Sequence, residues 1–310
     1  KNGVEAFKNS GADFIVAVGG GSSMDTAKAV GIITNNPEFA DVVSLEGVAN
    51  TKHKSVPVIA LPTTAGTAAE TTINYVITDE VNEKKMVCVD PNDIPAIAII
   101  DAELMYSLPQ GLTASTGMDA LTHAIEGLTT KAAWEMSDMF EIKAIEMINR
   151  YLETAVNEPK NAEARNGMAV AQYIAGMAFS NVGLGLVHGM AHPLGAMFDV
   201  AHGVANALLL PLVMEYNAPA AIDKFVIIAK AMGVYKEGMS KEDAAKAAVD
   251  AVKDLAIRVG IPQHLRDLGK GITEADLPRS AKAALQDVCT PGNPREVTEE
   301  VALELYKKAF

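Results

Sequence analysis

Apolar and polar positions divide the chain into two parts of different periodicity. In the first part, short apolar runs alternate with loops rich in Gly, Pro and Thr: Phe14–Val18, Val56–Leu61, Ile73–Thr78, Lys85–Asp90 and Ile94–Ile100. Such runs, bounded by turn residues, predict strands, and a fully apolar one such as Phe14–Val18 predicts a buried parallel strand. Asp79-Glu-Val-Asn-Glu-Lys84 predicts a polar hairpin. Strands alternating with helical stretches predict an α/β layer built on a mostly parallel sheet.

After Leu108-Pro109 the strand patterns stop, and Ala, Leu, Met, Glu and Lys recur with helical spacing. Helices are predicted over roughly 115–128, 133–155, 161–181, 184–192, 202–214, 218–232, 240–258, 273–287 and 298–308. Pro109, Pro159, Pro193, Pro211, Pro262 and Pro278 are expected mostly at or near the breaks between them. The expected architecture is therefore α/β followed by all-α: residues 1–106 as one domain and 107–310 as a second.

Composition sets the outer limits. At 310 residues the chain can bury a large core in two domains, and 49% hydrophobic residues suit a soluble protein. Apolar stretches are broken by Gly, His or Pro well short of the roughly eighteen residues a membrane span requires. A net charge of −13 with no basic run argues against nucleic acid and anionic membranes as partners. Cys88 and Cys289 lack metal-type spacing, and two reduced thiols in a cytoplasmic protein are preferred to a disulfide. The opening Lys1-Asn-Gly-Val-Glu has no initiator Met and no apolar signal segment, and it reads as helix running into a strand. The chain is accordingly expected to begin part-way through its first domain.

Two loops at strand ends carry candidate binding chemistry, because ligands of open α/β sheets collect at the carboxyl ends of strands. Gly19-Gly20-Gly21-Ser22-Ser23 opens a helix, and glycine with first-turn N–H groups suits a diphosphate. Met24 stands where the dinucleotide fingerprint has its third glycine, and a plain turn capped by Ser22 or Ser23 fits equally well. Pro62-Thr63-Thr64-Ala-Gly66-Thr67-Ala-Ala-Glu70 offers hydroxyls to a phosphate or amide, or is a threonine-rich strand edge.

Three of the six histidines, His188, His192 and His202, fall within fifteen otherwise apolar residues. Upstream, Asp119 and His123 lie one helical turn apart, as do His188 and His192. One carboxylate and three imidazoles make a four-ligand set for Fe²⁺ or Zn²⁺ with a position left for substrate. The alternative is a set of satisfied core histidines, but several unpaired imidazoles in apolar helices are costly to desolvate. Spacing does not decide which of His188 and His192 is a ligand, nor whether the two segments meet.

Taken together, Gly19–Ser22, Pro62–Glu70, Gly117-Met-Asp119-Ala-Leu-Thr-His123-Ala-Ile-Glu126, His188-Gly-Met-Ala-His192-Pro-Leu-Gly and His202-Gly-Val-Ala-Asn206 resemble the iron-containing (group III) alcohol dehydrogenases. Ser44-Leu-Glu-Gly47, Asn74–Asp79, Val87–Pro91 and Gly292-Asn-Pro-Arg295 point to members acting on small diols and their aldehydes. The resemblance covers the whole chain. It implies a Rossmann-like dinucleotide-binding domain followed by an all-helical metal domain, in a cytoplasmic homo-oligomer. It further implies metal ligands at Asp119, His123, His188 and His202, with His192 as a non-ligating histidine that relays a proton. Gly20, Gly21 and Ser22 would hold the diphosphate of NAD(H), Thr63, Thr64 and Thr67 would line it, and Asn74 and Lys85 would sit near ribose and nicotinamide. The choice between NAD and NADP is expected to rest on residues ahead of Lys1.

Three other functions compete with that expectation. A dehydroquinate synthase-like lyase shares the architecture, but its anionic substrate needs a basic pocket and the metal segments hold few Lys or Arg. A glycerol-dehydrogenase-like zinc enzyme has a different ligand pattern. An N-terminally shortened, non-catalytic metal-binding protein is the third.

Overall fold

The computed structural model describes all residues, 1–310. Its first part runs α1 (Asn2–Ser10), β1 (Ile15–Gly19), α2 (Gly21–Asn35), β2 (Gly47–Val48), β3 (Val58–Pro62), β4 (Asn74–Asp79), β5 (Lys84–Val89) and β6 (Ile97–Ala98). The strands form two three-stranded sheets, ordered β1-β3-β6 and β2-β5-β4. The first sheet is wholly parallel, with Val16, Ile59 and Ile97 in one row. In the second, β4 and β5 make the expected antiparallel hairpin and β2 adds parallel to β5.

One mostly parallel layer was the expectation, and the division into two sheets corrects it. The cause is α2, which is apolar on two sides. Met24 and Ala27 pack on Ala17, Val58 and Ala60 of the first sheet, whereas Ala29, Ile32 and Ile33 pack with Tyr75 and Cys88 of the second. Lys28, between these rows, is fully buried. Its ammonium donates to the carbonyls of Thr72 (2.7 Å) and Asn74 (2.8 Å) and so fixes the start of β4 to α2. The opposite face of the first sheet leaves Val16, Val18, Ile97 and Ile99 about half exposed.

The remaining elements are α3 (Gln110–Thr129), α4 (Glu135–Asn157), α5 (Ala162–Val182), α6 (Leu186–Phe198), α7 (His202–Asn217), α8 (Ile222–Ala231), α9 (Lys241–Arg258), α10 (Leu277–Gln286) and α11 (Glu299–Ala309). They share one continuous core that includes Met118, Ile145, Leu186, Leu209 and Tyr306. Pro193, expected just past the end of a helix, lies inside α6, and Pro211 lies inside α7, as the predicted 202–214 helix allowed. A proline in a helix interior forfeits a backbone bond and clashes with the preceding turn, costing about 3 kcal/mol. Here every residue from Leu186 to Leu194, and from Ala205 to Pro211, is buried, and that burial outweighs the loss.

One face of α5 packs against the first part. Gln172 donates to the Glu70 carboxylate, Gly176 lies against Ala68 and Thr71, and Ser180 Oγ accepts the Ile73 N–H at 3.0 Å. These positions recur every fourth residue, the spacing that lines up one side of a helix. No single helix is long and apolar enough to cross a membrane.

Candidate active site

Asp119 and His123 project from α3, His188 from α6, and His202 is the first residue of α7. The structure brings all four together, with one potential ligand atom from each lying within 4.8 Å of every other. Asp119, His123 and His188 are buried, and the His202 side chain, 39% exposed, opens the cluster outward. His123 is sandwiched between Phe179 of α5 (centroids 4.3 Å apart) and the His188 ring (4.7 Å).

Local hydrogen bonds orient these donors. His188 Nδ1 meets Glu126 Oε2 at 2.6 Å, which orients the ring with Nε2 toward the cluster. Glu126 also accepts the Val187 N–H at 2.6 Å, at the start of α6. Burial drives this carboxyl up to about 7, against the lowering effect of the backbone N–H groups of Val187, Gly185 and His188. Burial also holds His123 and His188 below the ordinary imidazole value, so their ring nitrogens carry free pairs.

At the centre stands the Asn206 amide, one turn beyond His202. Its nitrogen lies 2.7 Å from Asp119 Oδ1 and 3.1 Å from both His188 Nε2 and His202 Nε2. Two amide hydrogens cannot satisfy three acceptors. His123 Nδ1 is likewise buried without a partner. A surplus of converging acceptors, three of nitrogen and one of oxygen, is what a divalent cation such as Fe²⁺ or Zn²⁺ neutralises, so the residues present fit a metal.

His192 is one turn along α6 from His188 and its environment differs. Its Nδ1 meets Asp287 Oδ2 at 2.7 Å, and its ring is stacked on His202 at 5.4 Å. Burial disfavours charge on this imidazole, but the charge and hydrogen bond of Asp287 outweigh it and raise the pKa.

The two loops also meet. Thr63 N–H donates to the Gly19 carbonyl at 2.9 Å, and the Thr64 and Thr67 side chains lie over Gly20 and Gly21. A Cβ on Gly21 would come within 2.9 Å of Thr67 Cγ2, so glycine keeps the cradle open there. The expectation that Ser22 or Ser23 caps the helix is not met. The helix begins earlier, at Gly21, with Gly20 as N-cap and no side chain bonded to the first turn. The threonine loop thus lies against the N-terminus of α2, and a helix N-terminus suits an anion. Asn74 opens β4, where its carbonyl is held by Lys28. Lys85 of β5 donates to Thr78 Oγ1 at 2.6 Å and passes beside Gly195 of α6.

Three residues of this site had no role in the sequence reading. Glu126 is three residues after His123 and Asn206 four after His202, so helical spacing alone could have marked both. Asp287 carried no such signal, for it lies 95 residues from its histidine.

The family model described as iron-containing alcohol dehydrogenase matches residues 1–102, and that of the Fe-containing alcohol dehydrogenase family, C-terminal, matches 113–310. The chain belongs to the iron-containing alcohol dehydrogenase family. It is 59% identical over 310 residues to lactaldehyde reductase of Escherichia coli K12, spanning 100% of this chain and 80% of that one. It is 44% identical to 1,3-propanediol dehydrogenase of Citrobacter freundii, spanning 100% and 79%. The crystal structure of 1,3-propanediol oxidoreductase superposes with a TM-score of 0.96 at 43% identity, covering 100% of this chain and 80% of that one. As an iron-containing alcohol dehydrogenase the chain is an oxidoreductase, and its family implies a metal and NAD(H).

Proposed function

We propose that the chain is an NAD(H)-linked, metal-dependent dehydrogenase. It interconverts small alcohols or diols with their aldehydes, of the lactaldehyde/1,2-propanediol or 1,3-propanediol type. The observation that carries this reading is the convergence of Asp119, His123, His188 and His202 around more acceptors than Asn206 can satisfy. Residues 1–106 serve as the cofactor domain and 107–310 as the metal domain.

In this reading Asp119, His123, His188 and His202 hold Fe²⁺, or Zn²⁺ in its place. Gly20, Gly21 and Ser22 bind the cofactor diphosphate, Thr63, Thr64 and Thr67 line it, and Asn74 and Lys85 orient ribose and nicotinamide. When bound, the metal supplies Lewis-acid polarisation of the substrate oxygen and the nicotinamide accepts or gives the hydride. His192 accepts the hydroxyl proton during oxidation and returns it during reduction, a role suited to an imidazole. The buried walls of α3, α5 and α6 keep water from that exchange. The protein acts in the cytoplasm as a homo-oligomer, which light scattering would test.

Asp119→Ala and His202→Ala are expected to lose both bound metal and NADH oxidation with lactaldehyde. A metal-free Asp119→Ala protein with full turnover would overturn the assignment. Metal binding by the unaltered protein without any NADH oxidation would favour the non-catalytic alternative.

A further inference from the structure

We infer that Asp287 is a positioning residue for His192, holding it with its proton on Nδ1 and leaving Nε2 bare on the opposite edge of the ring. The inference rests on the reading of His192 as the proton-moving group. It concerns how the protein selects the state of that imidazole in which an acceptor is available.

The geometry is a closed chain of donors and acceptors. Asp287 follows α10 as its C-cap residue, and its backbone is extended there. One carboxylate oxygen, Oδ1, accepts the Cys289 N–H at 2.9 Å, and the other, Oδ2, lies 2.7 Å from His192 Nδ1. The side chains of His192 and Asp287 are 6% and 8% exposed, so water has little access to the pair. The turn that carries Cys289 is itself held, because Thr290 Oγ1 donates to the Ala284 carbonyl at 2.6 Å. An ionised carboxylate only accepts, so the nitrogen facing it must donate. The proton of a neutral His192 therefore resides on Nδ1. Glu126 faces His188 Nδ1 at 2.6 Å one turn earlier on α6. Two carboxyl groups thus back two neighbouring imidazoles, one in the cluster with Asp119 and one beside it.

Cys289 gives the arrangement a polarity that a substitution can reverse. In Asp287→Asn the Cys289 N–H keeps its acceptor only if the amide oxygen turns toward it. The amide NH₂ then faces His192 Nδ1, which must accept, and the imidazole proton moves to Nε2. The substituted protein keeps shape and volume at this position but presents the wrong tautomer.

The test is long-range ¹H–¹⁵N NMR of the histidine rings in the metal-free protein, at a pH raised until the His192 signals cease to shift and the ring is neutral. The His192 signals are assigned by their loss in His192→Gln. A protonated Nδ1 and bare Nε2 are expected in the unaltered protein, and the reverse in Asp287→Asn. In the metal-loaded enzyme, Asp287→Asn should lower kcat on the order of 10²-fold or more, with KM for alcohol and NAD within about threefold. A proton on Nε2 of the unaltered protein overturns the inference even if the variant fails to fold. So does an Asp287→Asn protein that keeps kcat within about threefold. The expected tautomer without turnover on any small alcohol would sink the proposed function and leave this inference standing.

Discussion

Tyr306 of α11 donates its hydroxyl to the Met190 carbonyl at 2.6 Å, tying the last helix to α6 midway between His188 and His192. The tyrosine is fully buried, although it lies 116 residues from its partner. Tyr306→Phe keeps the ring packing and removes only the donor, while the Met190 carbonyl stays within a helix. Stability should fall by about 1 kcal/mol, read as a lower denaturant midpoint with unchanged slope.

Glu126→Gln tests the carboxylate behind His188. Val187 N–H and His188 Nδ1 each need an acceptor, and an amide offers one oxygen where the carboxylate offers two. Either His188 turns or a buried donor is left unpaired. Metal affinity, measured by competition with a chelator, should fall about 10–100-fold, the usual penalty for losing a partner behind a ligand.

The cradle between the loops predicts a compensating pair. Gly21→Ala puts a methyl group against Thr67 Cγ2, so cofactor affinity should fall, as followed by NADH fluorescence titration. Thr67→Ser removes that methyl while keeping the hydroxyl. The Gly21→Ala/Thr67→Ser protein should therefore bind NADH more tightly than Gly21→Ala alone. Equal affinities of the two proteins would show that the contact does not limit binding.

Glu141 of α4 is fully buried and neither carboxylate oxygen has a hydrogen-bond partner. Burial raises its pKa well above 4.5, and Asp138 adds to the effect. Below pH 4.5 both folded and unfolded chains hold this proton. Above it the unfolded chain ionises first, so folding loses about 1.4 kcal/mol per pH unit until the folded pKa is reached. Glu141→Met removes the titration. Its stability advantage over the unaltered protein should be larger at pH 7 than at pH 5 in urea melts, and a pH-independent difference would refute the account.

Much of the helical part was legible because its apolar period is long and its breaks are marked. The predicted helix over 240–258 compares with Lys241–Arg258, capped as Ser240 allows. Pro193 misled because proline scores as a breaker locally, whereas a helix buried around that turn tolerates it. The strand region was legible as strands but not as two sheets, since pairing partners depend on how both flanks of α2 are covered. In the site, Asp119–His123 and His188–His192 were visible as helical pairs. Their meeting, and the different carboxylates behind His188 and His192, depend on the packing of α3, α6 and α10.

The seam along α5 has a consequence for how the two binding events are accounted. On one flank Gly176 admits the Ala68 methyl group and the Thr71 hydroxyl so closely that a methyl group there would overlap them. Close by on the same helix, Phe179 is stacked on His123. The loop that follows the threonines and a candidate ligand thus lean on the same two turns of helix. Reciprocity then requires that any tightening of one occupancy by the other be returned in equal measure. Cofactor titrations of the metal-free and metal-loaded protein are two edges of one thermodynamic cycle, and a dissociation constant for either ligand is defined only once the state of the other is given.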